Sequence, residues 1–99
     1  MADKTWKAVE RRVARMFGAK RNPLSGSNSG HTQADVIHNK LFIEVKHRSR
    51  IPFYKVWEDT KHKAYQENKI PVLVIHQKGS KDYIAIIDAS YLAELMKHG

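Results

Sequence analysis

The sequence contains no cysteine. Disulfide frameworks, zinc fingers and thiol catalysis are therefore excluded. Long apolar runs are also missing. The longest, such as Val72-Leu73-Val74-Ile75, fall far short of the roughly 20 residues needed to cross a bilayer. Met1-Ala2-Asp3-Lys4 has no apolar segment behind its charge, so no signal peptide is expected. There is no internal repeat and no low-complexity tract. The expectation is a cytoplasmic protein with no membrane partner.

Acidic residues are scarce. Ten Asp and Glu oppose eighteen Lys and Arg, which leaves a formal charge of +8 and a pI near 9.9. So large an excess on 99 residues creates a strongly positive field. Nucleic acid is the partner this field favours, ahead of acidic membranes and acidic proteins. The apolar content of 41% argues against wholesale disorder. The length suits one domain, residues 1–99, with one modest core.

Apolar residues at Trp6, Val9, Val13, Met16 and Phe17 follow a helical period, with Asp3 as N-cap and Gly18 as stop. Glu10 lies at the edge of this stripe, where a solvated acid paired with an arginine is the plain reading. Residues 21–30, rich in Ser, Gly and Asn, read as a surface loop. A short strand around Ala19 to Arg21 precedes it. Ala34–His38 and Leu41–Lys46 read as a hairpin about Asn39-Lys40, and Ile51–Tyr54 as a break. A helix is expected over Val56–Asn68. Ile70–His76 should be a central strand covered on both faces, and Tyr83–Ile87 another strand. A last helix capped by Asp88 or Ser90 carries Leu92, Leu95 and Met96. The result is an α/β fold, a central mixed sheet flanked by helices.

The hairpin register carries the chemistry. A turn centred on Asn39-Lys40 sets Val36 opposite Ile43 and Asp35 opposite Glu44. Alternation sends Leu41, Ile43 and Val45 to a core and Glu44, Lys46 and Arg48 to the other face. Opposed residues have Cβ atoms about 4.5–5.5 Å apart, so the two carboxylates repel. A positive group must compensate. Lys46 in a surface ion cluster is one solution. A divalent cation, which prefers carboxylate, phosphate and water oxygens, is the other.

Asp35, eight residues, then Glu44-Val45-Lys46 resembles the D…E-x-K signature of the PD-(D/E)XK nuclease superfamily. Ala8-Val9-Glu10-Arg11 resembles the acid-bearing first helix of archaeal-type Holliday junction resolvases. Arg21-x-Pro23-x-Ser25-Gly26-Ser27, seven residues before Asp35, resembles that family's Arg/Ser loop. The likeness spans about residues 5–88. Two departures stand out. The chain is short, so C-terminal family elements that support dimerisation are expected to be reduced, and Ala34 precedes the acid in place of a proline that the superfamily often lacks.

The resemblance implies a restriction-endonuclease-like fold. It also implies a Mg²⁺-dependent endonuclease, with Mn²⁺ as substitute, that cuts four-way junction DNA by paired symmetric hydrolysis. Glu10, Asp35 and Glu44 would be metal-site acids, Glu10 directly or through water, with the Val45 carbonyl completing the site. Lys46 would be the catalytic lysine. Arg21 and Ser25 would contact the scissile phosphate, with Ser27 an alternative serine. Arg11, Arg48, Arg50 and Lys61 would track the DNA backbone. Two matched cuts require a homodimer, and a prokaryotic or phage origin is implied. The competing readings are another PD-(D/E)XK nuclease (nicking, repair or restriction type) and a non-catalytic basic module for DNA or RNA.

Overall fold

A computed structural model describes residues 5–23, 32–48 and 50–98. Asp3, Ser25 and Ser27 lie outside the described residues. Along the chain run α1 (Thr5–Met16), β1 (Lys20–Arg21), β2 (Val36–Ile37), β3 (Leu41–His47), α2 (Phe53–Gln66), β4 (Ile70–His76), β5 (Tyr83–Ile86) and α3 (Ala89–His98). The strands form one five-stranded mixed sheet in the order β1-β2-β3-β4-β5. Only the β3–β4 pair is parallel, and α2 is its crossover.

The alternation along β3 explains the layers. Ile43 and Val45 join Val9, Val13 and Ala14 of α1, Val36 of β2, and Val72 and Val74 of β4 in the main core, with Leu41 packed against it. Phe42 points the other way and is buried with Ala34 and Ala64 of α2. The sheet is thus covered on both faces, α1 on one and α2 on the other. The continuous burial of β4 follows from this.

Several elements end where local chemistry dictates. Gly18 stops α1 at φ +61°. α2 begins at Phe53, three residues before the expected Val56, with Pro52 as its N-cap. The supposed break is a helix start, because proline presets φ and has no N–H to leave unpaired. α2 closes through Asn68 in the left-handed region at φ 58°, while Lys69 N–H donates to the Ala64 carbonyl at 2.9 Å. The Asn39-Lys40 corner does not depend on a favourable turn pair. His38 Nδ1 accepts from the backbone N–H of both Lys40 and Leu41 at 3.0 Å.

α3 departs from expectation. Asp88 caps it, accepting from Ser90 N–H at 2.9 Å, and the Ser90 hydroxyl and backbone hold the Asp88 carboxyl below its ordinary range. Yet no residue of α3 is buried, and Leu92, Leu95 and Met96 are exposed. Its apolar spacing is helical, but no described element covers it. No described helix is long and apolar enough to cross a membrane.

The segment leading into β2 is held from both sides. Asn22, almost fully buried, donates from Nδ2 to the carbonyls of Ala34 at 2.9 Å and Thr32 at 3.3 Å. Its own N–H donates to the Asp35 carbonyl at 2.8 Å. From the other side Glu67, at the end of α2, accepts from the Thr32 hydroxyl at 2.5 Å and from Gln33 N–H at 2.8 Å. Asn22→Ala removes two donated bonds and strands buried carbonyls. It should lower the unfolding free energy by about 2–3 kcal/mol, read as a fall in the urea midpoint at unchanged slope. A loss below about 0.5 kcal/mol would show that the clamp is dispensable.

Candidate active site

β2 is only two residues long, so β3 runs past it. Val36 pairs with Ile43 and Asp35 N–H donates to the Ile43 carbonyl at 3.1 Å, which sets Asp35 beside Glu44 as the sequence predicts. Beyond the end of this ladder the Val45 N–H donates to Asp35 Oδ2 at 2.8 Å. One acid is thereby fixed to the backbone beside the other.

One of the two sequence readings made this pair part of a surface ion cluster. The structure buries it instead, because α2 covers that side of β3. Asp35 is 7% exposed and Glu44 8%. Lys46 Nζ stands 3.3 Å from Glu44 Oε2. Glu44 Oε1 is buried with no hydrogen-bond partner. Burial, then the charge of Asp35, pushes the Glu44 carboxyl up to about 7, against the opposing pull of Lys46 and Lys63. Lys63 of α2 acts here, whereas Lys61, two residues earlier, pairs with Glu58 at 3.2 Å and exerts its charge on Asp88. Lys61 therefore lies apart from the carboxylates.

An open cleft of about 390 Å³ runs over these groups. Glu10 forms part of its wall together with Asp35, Glu44 and Lys46, and Arg48 stands at its edge. Glu10 is buried at 5% exposure, and Arg21 Nε donates to its Oε1 at 2.8 Å. The helix acid thus reaches the cleft, but an arginine occupies one of its oxygens. Arg50 lines a neighbouring cavity with Arg48. Arg11 follows Glu10 on α1 and is half-buried outside the cleft lining.

On the cleft wall, His47 stacks on His76 with ring centres 4.9 Å apart, and His76 stacks on Tyr83 at 4.5 Å. These residues pair across β3, β4 and β5. His76 Nε2 donates to the Ser80 carbonyl at 2.7 Å. His76 Nδ1 and His47 Nδ1 share a hydrogen bond at 2.8 Å. His47 is therefore tied down one residue from Lys46. The sequence offered no sign of this, since the partners lie on different strands.

Among the described residues no group of three or more His, Asp or Glu is arranged to hold a metal ion. Besides Glu10, the cleft offers the carboxylates of Asp35 and Glu44, with Glu44 Oε1 lacking a hydrogen-bond partner, and the backbone of Val45. That hard, anionic donor set fits a divalent cation that completes its shell with water and phosphate. The chain matches no protein-family model, no curated protein and no solved structure.

The raised Glu44 carboxyl has a stability consequence. Between about 4.5 and 7 the unfolded chain loses this proton and the folded chain keeps it, so the unfolded state binds fewer protons and stability falls as pH rises. Glu44→Gln should therefore stabilise the protein at pH 8 in EDTA, by up to about 3 kcal/mol, with the gain fading toward pH 4.5. Urea unfolding at pH 5 and pH 8 checks this. Equal effects at both values would contradict it.

Proposed function

We propose that this protein is a divalent-cation-dependent DNA endonuclease with the restriction-endonuclease-like PD-(D/E)XK arrangement, acting on four-way junctions. The observation that carries the reading is the buried pair of Asp35, just before β2, and Glu44 of β3, with one Glu44 oxygen unpartnered and Lys46 beside the other. Two acids brought together at this cost do not stabilise a fold. They suit a site that binds a cation.

Asp35, Glu44 and the Val45 carbonyl would hold Mg²⁺, or Mn²⁺ in its place. The cation supplies Lewis acidity toward a phosphodiester. The remaining roles belong to the chain. Asp35 is oriented by the Val45 N–H. Lys46, one quarter exposed at its side chain, reaches from Glu44 into the cleft and balances negative charge on the phosphate. Arg21, held by Glu10, presents further N–H donors to a phosphate oxygen. In this reading Glu10 is a positioning residue for Arg21 and not a direct ligand through Oε1. Arg48, Arg50 and the overall charge of +8 track the backbone.

Junction resolution needs incisions in two opposed strands. The described residues form one such cleft, so the working unit would be a two-fold homodimer. A synthetic immobile junction and a matched linear duplex, each with Mg²⁺ and with EDTA, test the reading. Paired symmetric nicks on the junction alone are expected, absent in EDTA and reduced at least 100-fold by Asp35→Asn. Equal cutting of both substrates would leave a nuclease of another specificity. Tight binding without cutting would make the protein a basic DNA-binding module with structural acids.

A further inference from the structure

Trp6 does not behave as its sequence pattern suggests. Its spacing with Val9 and Val13 places it on the apolar stripe of α1. Val9 and Val13 are buried, but Trp6 retains 38% exposure. It stands one helical turn before Glu10 and lines the same cleft as the carboxylates. Two cations lie over the ring. The Arg21 guanidinium carbon is 5.4 Å from the ring centre and Lys7 Nζ is 5.5 Å away. Both are at the loose end of cation–π distance. Arg21 is in turn fixed by Glu10 at 2.8 Å.

The cluster combines a partly open aromatic surface on the wall of the anionic cleft with two positive groups near its ring. A ligand that satisfies all of it carries a negative charge and a flat aromatic ring a few ångströms apart. A nucleotide unit has that form. We propose that Trp6 is the nucleobase-contact residue of this site, stacking on an unpaired base next to the phosphate that Arg21 and Lys7 engage. The inference rests on the nuclease reading and adds a selectivity to it. A base inside a continuous duplex has both faces stacked on its neighbours and cannot reach the indole. A base freed at a branch point, or in a single strand, can. Trp6 would then bias the site toward distorted DNA without reading sequence.

A plainer role competes with this one: the indole merely props Arg21 in place. The two roles differ in whether the base matters. The chain has two tryptophans, Trp6 and Trp57. Trp57→Phe, combined with Asp35→Asn to prevent cutting, leaves Trp6 as the sole indole reporter. Its fluorescence is followed while a twelve-residue oligothymidylate, or an abasic oligomer of equal length and charge, is added. Anisotropy of labelled oligomers reports binding independently.

Stacking predicts saturable quenching with oligothymidylate and little change with the abasic strand. Trp6→Ala should weaken oligothymidylate binding about 5- to 150-fold, the range expected for one base stacked on an aromatic ring. It should leave abasic binding nearly unchanged, and Trp6→Phe should retain most of the affinity. Equal quenching by both oligomers, or equal loss of both affinities in Trp6→Ala, would assign Trp6 to propping Arg21 and overturn the proposal. So would unchanged emission at saturation, or no binding of either oligomer. Cleavage by the wild-type protein is scored separately. Cutting with an unresponsive Trp6 sinks this inference alone, and a responsive Trp6 without cutting sinks the nuclease reading alone.

Discussion

Two carboxylates that repel one another are held side by side out of water. Everything near the cleft can be understood from that constraint. Asp35 and Glu44 face each other because the hairpin register and the two-residue period of strands leave no alternative. Slipping the register by one residue would send Ile43 and Val45 out of the core. The hydrophobic pattern of β3 therefore enforces an electrostatic conflict that the core itself does not need. The conflict is visible in Glu44, whose carboxyl is raised to about 7 and whose Oε1 has no partner.

The surrounding structure makes the conflict tolerable without abolishing it. Val45 N–H fixes Asp35, and Lys46 offsets the charge of Glu44. Asn22 and Glu67 grip the backbone on either side of residues 32–35, so the acid cannot swing away from its neighbour. The stack of His47, His76 and Tyr83 ties the end of β3 to β4 and β5. Glu10 and Arg21 form a second ion pair on the α1 side. The cleft is thus bounded by one compensated acid and one pair left under-compensated. The under-compensated pair is where a cation gains most.

Much of this was legible in the sequence, and the exceptions share a cause. The hairpin register, β4 and the Gly18 stop follow from local alternation, apolar runs and turn chemistry, and each is found in place. The clamp by Asn22 and Glu67 was not legible. Asn22 sits in a stretch that reads as generic loop, and its partners lie ten or more residues away. The sequence groups Lys61 and Lys63 as one basic cluster, because only the docking of α2 on β3 decides which of the two acts on Glu44. Trp6 and the apolar residues of α3 mislead in the opposite sense. Helical spacing says which residues share a face, not what covers that face. Pro52 was read as a break although the same constraint on φ suits a helix start.

We propose the Asp35 and Glu44 pair as a cation site. Counting bound Mn²⁺ by electron paramagnetic resonance tests it without reference to any substrate. Wild-type protein, Asp35→Asn and Glu44→Gln would be compared, with circular dichroism confirming that each variant is folded. The account predicts saturable Mn²⁺ uptake by the wild-type chain that is lost in both variants. Uptake that survives both substitutions, or no uptake by the wild-type chain, would contradict it and leave the two acids as a structural cluster balanced by Lys46.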